Sequence, residues 1–247
     1  MDIDNLKAYV FRATDYGETS KILTLFSENK GLITVMAKGV KNPKSKKYNL
    51  VSQFCEASFD LTKKNNFFFL KDGIIINSNF HIRKSIVKIY LVQMIFDIIE
   101  RTIVLNEEND NIYKLLHKTI IYIEKTENMI RLINMFLIKY ISMIGFRPHL
   151  EKCVKCGKNI IREAYFSVTK GGVICYEDKK NQDFFLTNHE YLYFKKLLME
   201  VYENINDFYL EIDEKYIFKI IISFIIYNTD ISMPQAYKNF VKFMGIE

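Results

Sequence analysis

LKAYVFRATDYGETSKILTLFSENKGLITVMA, residues Leu6–Ala37, is the stretch whose reading decides the fold. Leu6–Ala13, Ser20–Ser27 and Gly31–Ala37 are short runs rich in β-branched and aromatic residues, which suit a pleated, half-buried surface. Asp15-Tyr16-Gly17 and Glu28-Asn29-Lys30-Gly31 separate them as turn signals. Two more such runs lie further on, Phe54–Thr62 and Phe67–Asn77, after the lysine-rich Asn42–Asn49 and the turn Lys63–Asn66. Five short strands with a longer connection after the third suit a small barrel of the OB type. An SH3-like barrel or a plain five-stranded meander would show the same alternation, so pattern alone leaves those alternatives open.

From Ser85 the apolar period becomes helical. Ser85–Leu105, Ile112–Lys125 and Asn128–Gly145 repeat apolar residues at three and four spacing, and Gly145 with Pro148 beyond it marks a stop. An insert of different chemistry follows, Cys153–Asp178. Helical pattern then resumes with Thr187 or Asn188 as N-cap, and Thr187 with Glu190 has the spacing of a capping box. Helices are predicted over Glu190–Val201 and Glu214–Tyr227, with a last short one after Pro234. The expected fold class is therefore α+β and multidomain. Residues 1–80 form an OB-type five-stranded β-barrel. Residues 81–247 form an all-α domain with a cysteine knuckle inserted at about 149–182.

Hydrophobic residues make up 49% of the 247, enough for a sizeable core, and the formal net charge is +6. Lysine, isoleucine and asparagine are all plentiful, as an AT-rich genome would make them, so the distribution of charge says more than its sum. Met1 is followed by Asp2 and Asp4 and not by an apolar run, and Ile86–Leu105 carries Lys88, Asp97, Glu100 and Arg101. Neither a leader nor a membrane span is expected, which points to the cytoplasm. Cysteines kept reduced there suggest a metal before a disulfide.

No acidic residue stands between Glu28 and Glu56, while Lys30, Lys38, Lys41, Lys44, Lys46 and Lys47 all do. Lysine neutralises phosphate as a point charge without reading bases, and Ser45 adds a hydroxyl for a phosphate oxygen. The same residues also fit a solvated loop in a lysine-rich chain. Aromatic side chains are the other half of single-strand binding, because bases stack on them. Phe67 and Phe69 share one face of their strand and Phe68 takes the other, while Tyr48 lies in the basic loop. The expectation is that Phe68 or the Phe67 and Phe69 pair packs against neighbouring helices and does not stack on bases.

Cys153-Val154-Lys155-Cys156-Gly157 is a knuckle half-site, two thiolates two residues apart with a glycine for the tight turn. Gly171-Gly172-Val173-Ile174-Cys175 supplies a third thiol, and a second CxxC would put its last cysteine where Asp178 stands. Three arrangements remain. Asp178 ligates one structural zinc through a carboxylate oxygen, packing alone holds the knuckle, or His149 or His189 completes the site. Three thiolates and a carboxylate leave no open coordination position, and no HExxH or paired-carboxylate constellation is present. The chain reads as no enzyme. Cys55, in a strand run, reads as a small core residue.

Several segments together resemble one family, the RecO recombination mediators of bacterial DNA repair. They are Asp15-Tyr16-Gly17-Glu18, Phe26 through Gly31, and Ala37-Lys38-Gly39-Val40-Lys41 with Ser45. The most distinctive is Gly145-Phe146-Arg147-Pro148-His149-Leu150-Glu151-Lys152-Cys153-Val154-Lys155-Cys156-Gly157, followed by Phe166 and Gly171–Cys175. The resemblance implies an OB-fold domain, a helical domain with an inserted zinc knuckle, and binding to single- and double-stranded DNA. It also implies strand annealing, and work with RecR, and often RecF, to load RecA onto strands coated by single-strand-binding protein. Lys38, Lys41, Lys44, Lys46 and Lys47 match its basic segment, and Cys153, Cys156 and Cys175 match three of its ligand positions. Asp178 departs from the fourth. The competing reading is a non-catalytic adaptor whose barrel binds protein and whose basic loop is solvated.

Overall fold

A computed structural model describes residues 2–65, 67–160, 163–207 and 212–246. Five strands come first: β1 (Asp2–Tyr16), β2 (Ser20–Ser27), β3 (Gly31–Ala37), β4 (Glu56–Lys64) and β5 (Phe67–Asn77). They close into a barrel in the order β1-β2-β3-β5-β4, with β1 paired to both β2 and β4 and a parallel contact between β3 and β5. This is the OB-type barrel, and it removes the SH3-like and meander alternatives. β1 is irregular twice, between Ile3 and Leu6 and between Val10 and Arg12. Asn5 at the first of these has a φ of 59°. Such irregularities bend a strand and raise its twist, so the first half of β1 follows β4 and the second follows β2.

The alternation in β1 has a double use. Leu6, Ala8 and Val10 point into the barrel with Leu23, Leu25, Ile33, Val35, Phe59 and Cys55. Tyr9 and Phe11 point outward yet are also buried, under two helices. After the short α1 (Phe80–Arg83), helix α2 (Ile86–Thr102) brings Phe96 onto Phe11, with ring centroids 3.9 Å apart and nearly parallel. Tyr113, from the first turn of α3 (Asp110–Lys125), lies 5.6 Å from Tyr9, and its hydroxyl donates to buried Glu56 at 3.0 Å. The strand predicted over Phe54–Thr62 begins at Glu56 because Phe54, with φ of 71°, turns its ring toward Phe96. The turn signal at Lys63–Asn66 includes Asn66, which lies outside the described residues. Gly31 has to be glycine: its φ is positive, and a Cβ there would run into the Glu107 carbonyl.

The remaining elements are α4 (Met129–Met143), strands β6 (Ala164–Ser167), β7 (Gly172–Ile174) and β8 (Phe184–Leu186), then α5 (Asn188–Met199), α6 (Glu214–Thr229) and α7 (Gln235–Met244). Thr187 caps α5 in the expected capping box with Glu190. By packing, the chain divides into two compact units, residues 2–114 with Pro234–Gly245, and Leu115–Met233, so the boundary falls inside α3. In the first unit α7 returns to α2, with Tyr90 and Phe243 rings 6.1 Å apart. In the second, α4 and α6 are joined by Arg131, whose Nε donates to Glu214 Oε1 at 2.7 Å while its Nη1 donates to the Ile205 carbonyl. Phe166 of β6 packs against Phe194 and Phe224 and anchors the inserted sheet there. No described helix is long and apolar enough to cross a membrane.

Candidate nucleic-acid interface and metal centre

The basic segment leaves β3 at Ala37 and winds through turns before Glu56. Val40, Leu50 and Val51 fold back into the barrel interior, which ties the loop down at both ends and pushes its polar residues outward. Its lysines divide into two groups. Lys41 is half-buried: its Nζ pairs with Asp15 Oδ2 at 3.0 Å and donates to the Gly17 carbonyl, and it holds the Asp15 carboxyl below the usual carboxylate range. Lys47 is also half-buried and donates to the Lys71 carbonyl on β5. Lys38, Lys44 and Lys46 are exposed. Lys44 and Lys46 have no ion pair among the described residues, and Lys38 lies over the Phe69 ring at 5.3 Å. Ser45 shapes the loop, its Oγ accepting from the Lys47 N–H at 3.3 Å.

The three phenylalanines of β5 separate as the pleat requires, but to destinations other than the helices. Phe68 packs against the barrel interior, because its side of the strand faces the core. Phe69 is half-buried beneath Lys38, and Phe67 is 67% exposed.

The cysteine cluster is assembled by two turns. Gly157, at φ of 75°, lets its N–H return to the Cys153 carbonyl at 2.9 Å and closes the first half-site. Cys175 follows β7 directly and opens a 3-10 turn, Tyr176–Asp178, in which the Asp178 N–H bonds the Cys175 carbonyl. Asp178 Oδ2 then lies 3.5 Å from Cys153 Sγ and 3.4 Å from Cys175 Sγ, and Cys156 Sγ lies 3.7 Å from Cys175 Sγ. All four donor atoms fall within 4.8 Å of one another. A tetrahedral zinc with Zn–S bonds of about 2.3 Å and a Zn–O bond of about 2.0–2.2 Å has S···S edges of about 3.8 Å and S···O edges of about 3.5–3.7 Å. The donor set therefore has the size and chemistry of a structural zinc site. His149 and His189 are not part of it. Although desolvation pushes the Cys153 thiol up, backbone N–H groups of Cys156, Cys175 and Lys155 bring it below its ordinary value. The Asp178 carboxylate, by contrast, pushes Cys156 up and burial pushes Cys175 up, so metal binding there would have to displace protons. Lys155, which the sequence pattern did not single out, holds the other oxygen of Asp178: Nζ to Oδ1 is 2.9 Å. Its position between the two cysteines of the half-site was the available signal.

Two family models cover most of the chain. Recombination protein O N terminal matches residues 1–79 and Recombination protein O C terminal matches residues 83–226.

The chain belongs to the RecO family.

Relatives named DNA repair protein RecO match about two thirds of the chain. The protein of Acetivibrio thermocellus is 27% identical over 167 residues, 67% of this chain and 66% of that protein, just under two thirds of its length. Those of Thermoanaerobacter and Oceanobacillus iheyensis are 28% and 26% identical over 68% and 70% of this chain, and 68% and 67% of their own lengths. RecO membership places the chain among proteins of DNA repair and recombination.

Proposed function

We propose that this chain is a non-catalytic, DNA-binding mediator of recombinational repair. In this reading it anneals single strands and, with RecR, helps load RecA onto DNA coated by single-strand-binding protein, in the cytoplasm at the nucleoid. The observation that carries the reading is a RecO-type chain whose barrel presents Lys38, Lys44 and Lys46 to solvent on a segment free of carboxylates. Annealing requires phosphate repulsion to be lowered while bases stay exposed to each other. Lysines that contact the backbone and ignore base edges suit that task, and no bond-making group is needed.

Lys38, Lys44 and Lys46, with Ser45, are the proposed phosphate contacts, and Lys41 and Lys47 set the loop's shape while adding to its field. The division of labour follows the sequence: residues 1–80 hold DNA and residues 81–247 meet protein partners. Cys153, Cys156, Cys175 and Asp178 hold one structural Zn2+ that fixes the knuckle and takes no part in chemistry. Titration of a labelled oligonucleotide at two salt concentrations tests the reading. Binding that weakens steeply with salt is expected; affinity that ignores salt would leave the adaptor reading, which the internal pairing of Lys41 with Asp15 favours.

A further inference from the structure

We propose that Phe67 and Phe69, framed by Lys38 and Lys64, form a stacking platform for unpaired bases, so that the barrel prefers single-stranded over duplex nucleic acid. The inference rests on the nucleic-acid reading above and assigns the part that lysines alone cannot supply. Phosphate contacts are nearly blind to whether a strand is paired, whereas an aromatic face takes a base only when that base has left its own stack.

The arrangement is built from strand register. Phe67 and Phe69 stand on the outer side of β5, while Phe68 and Leu70 turn toward the core. On β4, Lys64 is the cross-strand partner of Phe67 and shares its face, while Lys63 pairs with Phe68 on the other side. On the other side β3 runs parallel, Met36 pairing with Phe69, and its extension carries Lys38 to 5.3 Å from the Phe69 ring. No carboxylate occurs in sequence between Asp60 and Asp72, nor between Glu28 and Glu56. Phe67, 67% exposed, is an apolar ring in water in a cationic frame.

The platform adjoins the basic segment. Lys38 begins that segment, and Lys47 near its far end donates to the Lys71 carbonyl, two residues beyond Phe69. A strand whose phosphates follow Lys44 and Lys46 can therefore bring its bases over the outer face of β5. A protein partner would be expected to meet alternating charge at this rim. Exposed rings flanked by Lys38 and Lys64, with the Asp2 carboxylate already paired to Lys71 Nζ at 3.7 Å, match a polyanion that carries flat aromatic groups.

The chain contains no tryptophan, which makes a direct test available in the full-length protein. Phe67→Trp installs a single tryptophan, excited apart from the 16 tyrosines, at the proposed contact. Its emission should fall on titration with oligo(dT) and hold steady with an abasic oligonucleotide of equal length, which has the phosphates and lacks the bases. Phe67→Leu should weaken oligo(dT) binding about tenfold while leaving the salt dependence, duplex affinity and melting temperature unchanged. Wild-type-like oligo(dT) binding by Phe67→Leu, or equal quenching by the abasic strand, overturns the platform and leaves phosphate binding standing. Absence of salt-dependent binding by the wild-type protein to any of these oligonucleotides overturns the nucleic-acid reading and the platform with it.

Discussion

At the scale of single residues the knuckle turns on Asp178. A carboxylate spans less distance than its two oxygens suggest, because Lys155 occupies Oδ1 and leaves only Oδ2 facing the sulfurs. Asp178→Ala should strip the zinc from the purified protein, and Asp178→Cys should retain close to one per chain; metal analysis decides. Lys155→Met should loosen metal binding by about 10–100-fold, the usual scale for a group that orients a ligand, read by competition with a chromophoric chelator. Gly31 is a second residue with little latitude. Gly31→Ala meets both a positive φ and the Glu107 carbonyl, so a loss of at least ~1–3 kcal/mol is expected in denaturant unfolding.

At the scale of elements the basic loop is the part that mutation can dissect. Lys41 is bound to Asp15 and to the Gly17 carbonyl, so reversing its charge would place two carboxylates together and disturb the loop itself. Lys44 and Lys46 have no such partners among the described residues, which makes Lys44→Glu with Lys46→Glu the cleaner double variant. Its DNA affinity should drop and its log–log salt slope on single strands should become shallower by about 1.4, two contacts at ~0.7 each. Its stability should stay within ~0.5 kcal/mol of wild type, as for surface changes generally. Elsewhere, Thr187→Ala removes the hydroxyl that accepts the Glu190 N–H and should cost ~1 kcal/mol of local stability, visible as faster hydrogen exchange in the first turn of α5.

At the scale of the whole molecule, electrostatics and metal should act on separable properties. With Lys38, Lys44 and Lys46 each neutralising one phosphate, the slope of log affinity against log salt on single strands should be about −2, three contacts at ~0.7 each. Chelation at low pH, where thiolates are protonated, should release the metal and open the knuckle. DNA affinity measured after return to neutral pH without zinc should keep the same salt slope, since every proposed phosphate contact lies on the barrel. A slope that collapses with the metal would assign the knuckle a part in binding.

Much of this was legible in the sequence, because it depended on local period. Ser20–Ser27, Gly31–Ala37 and Phe67–Asn77 are rich in β-branched and aromatic residues and are strands over those very residues, and the helices after residue 85 follow their apolar spacing to within a few positions. The cysteine spacing named three thiols, and the carboxylate at the fourth position proved to be adjacent to them. What only the tertiary structure decided is whatever depends on residues distant in sequence. The closed order β1-β2-β3-β5-β4 required two irregularities in β1 that no period announces. The burial of Tyr9 and Phe11 on the outer side of that strand required helices from beyond residue 85 to cover them. Lys41 and Lys47 could be separated from Lys44 and Lys46 only once Asp15 and Lys71 were folded beside them. Period records which face a side chain takes; only folding determines what that face meets.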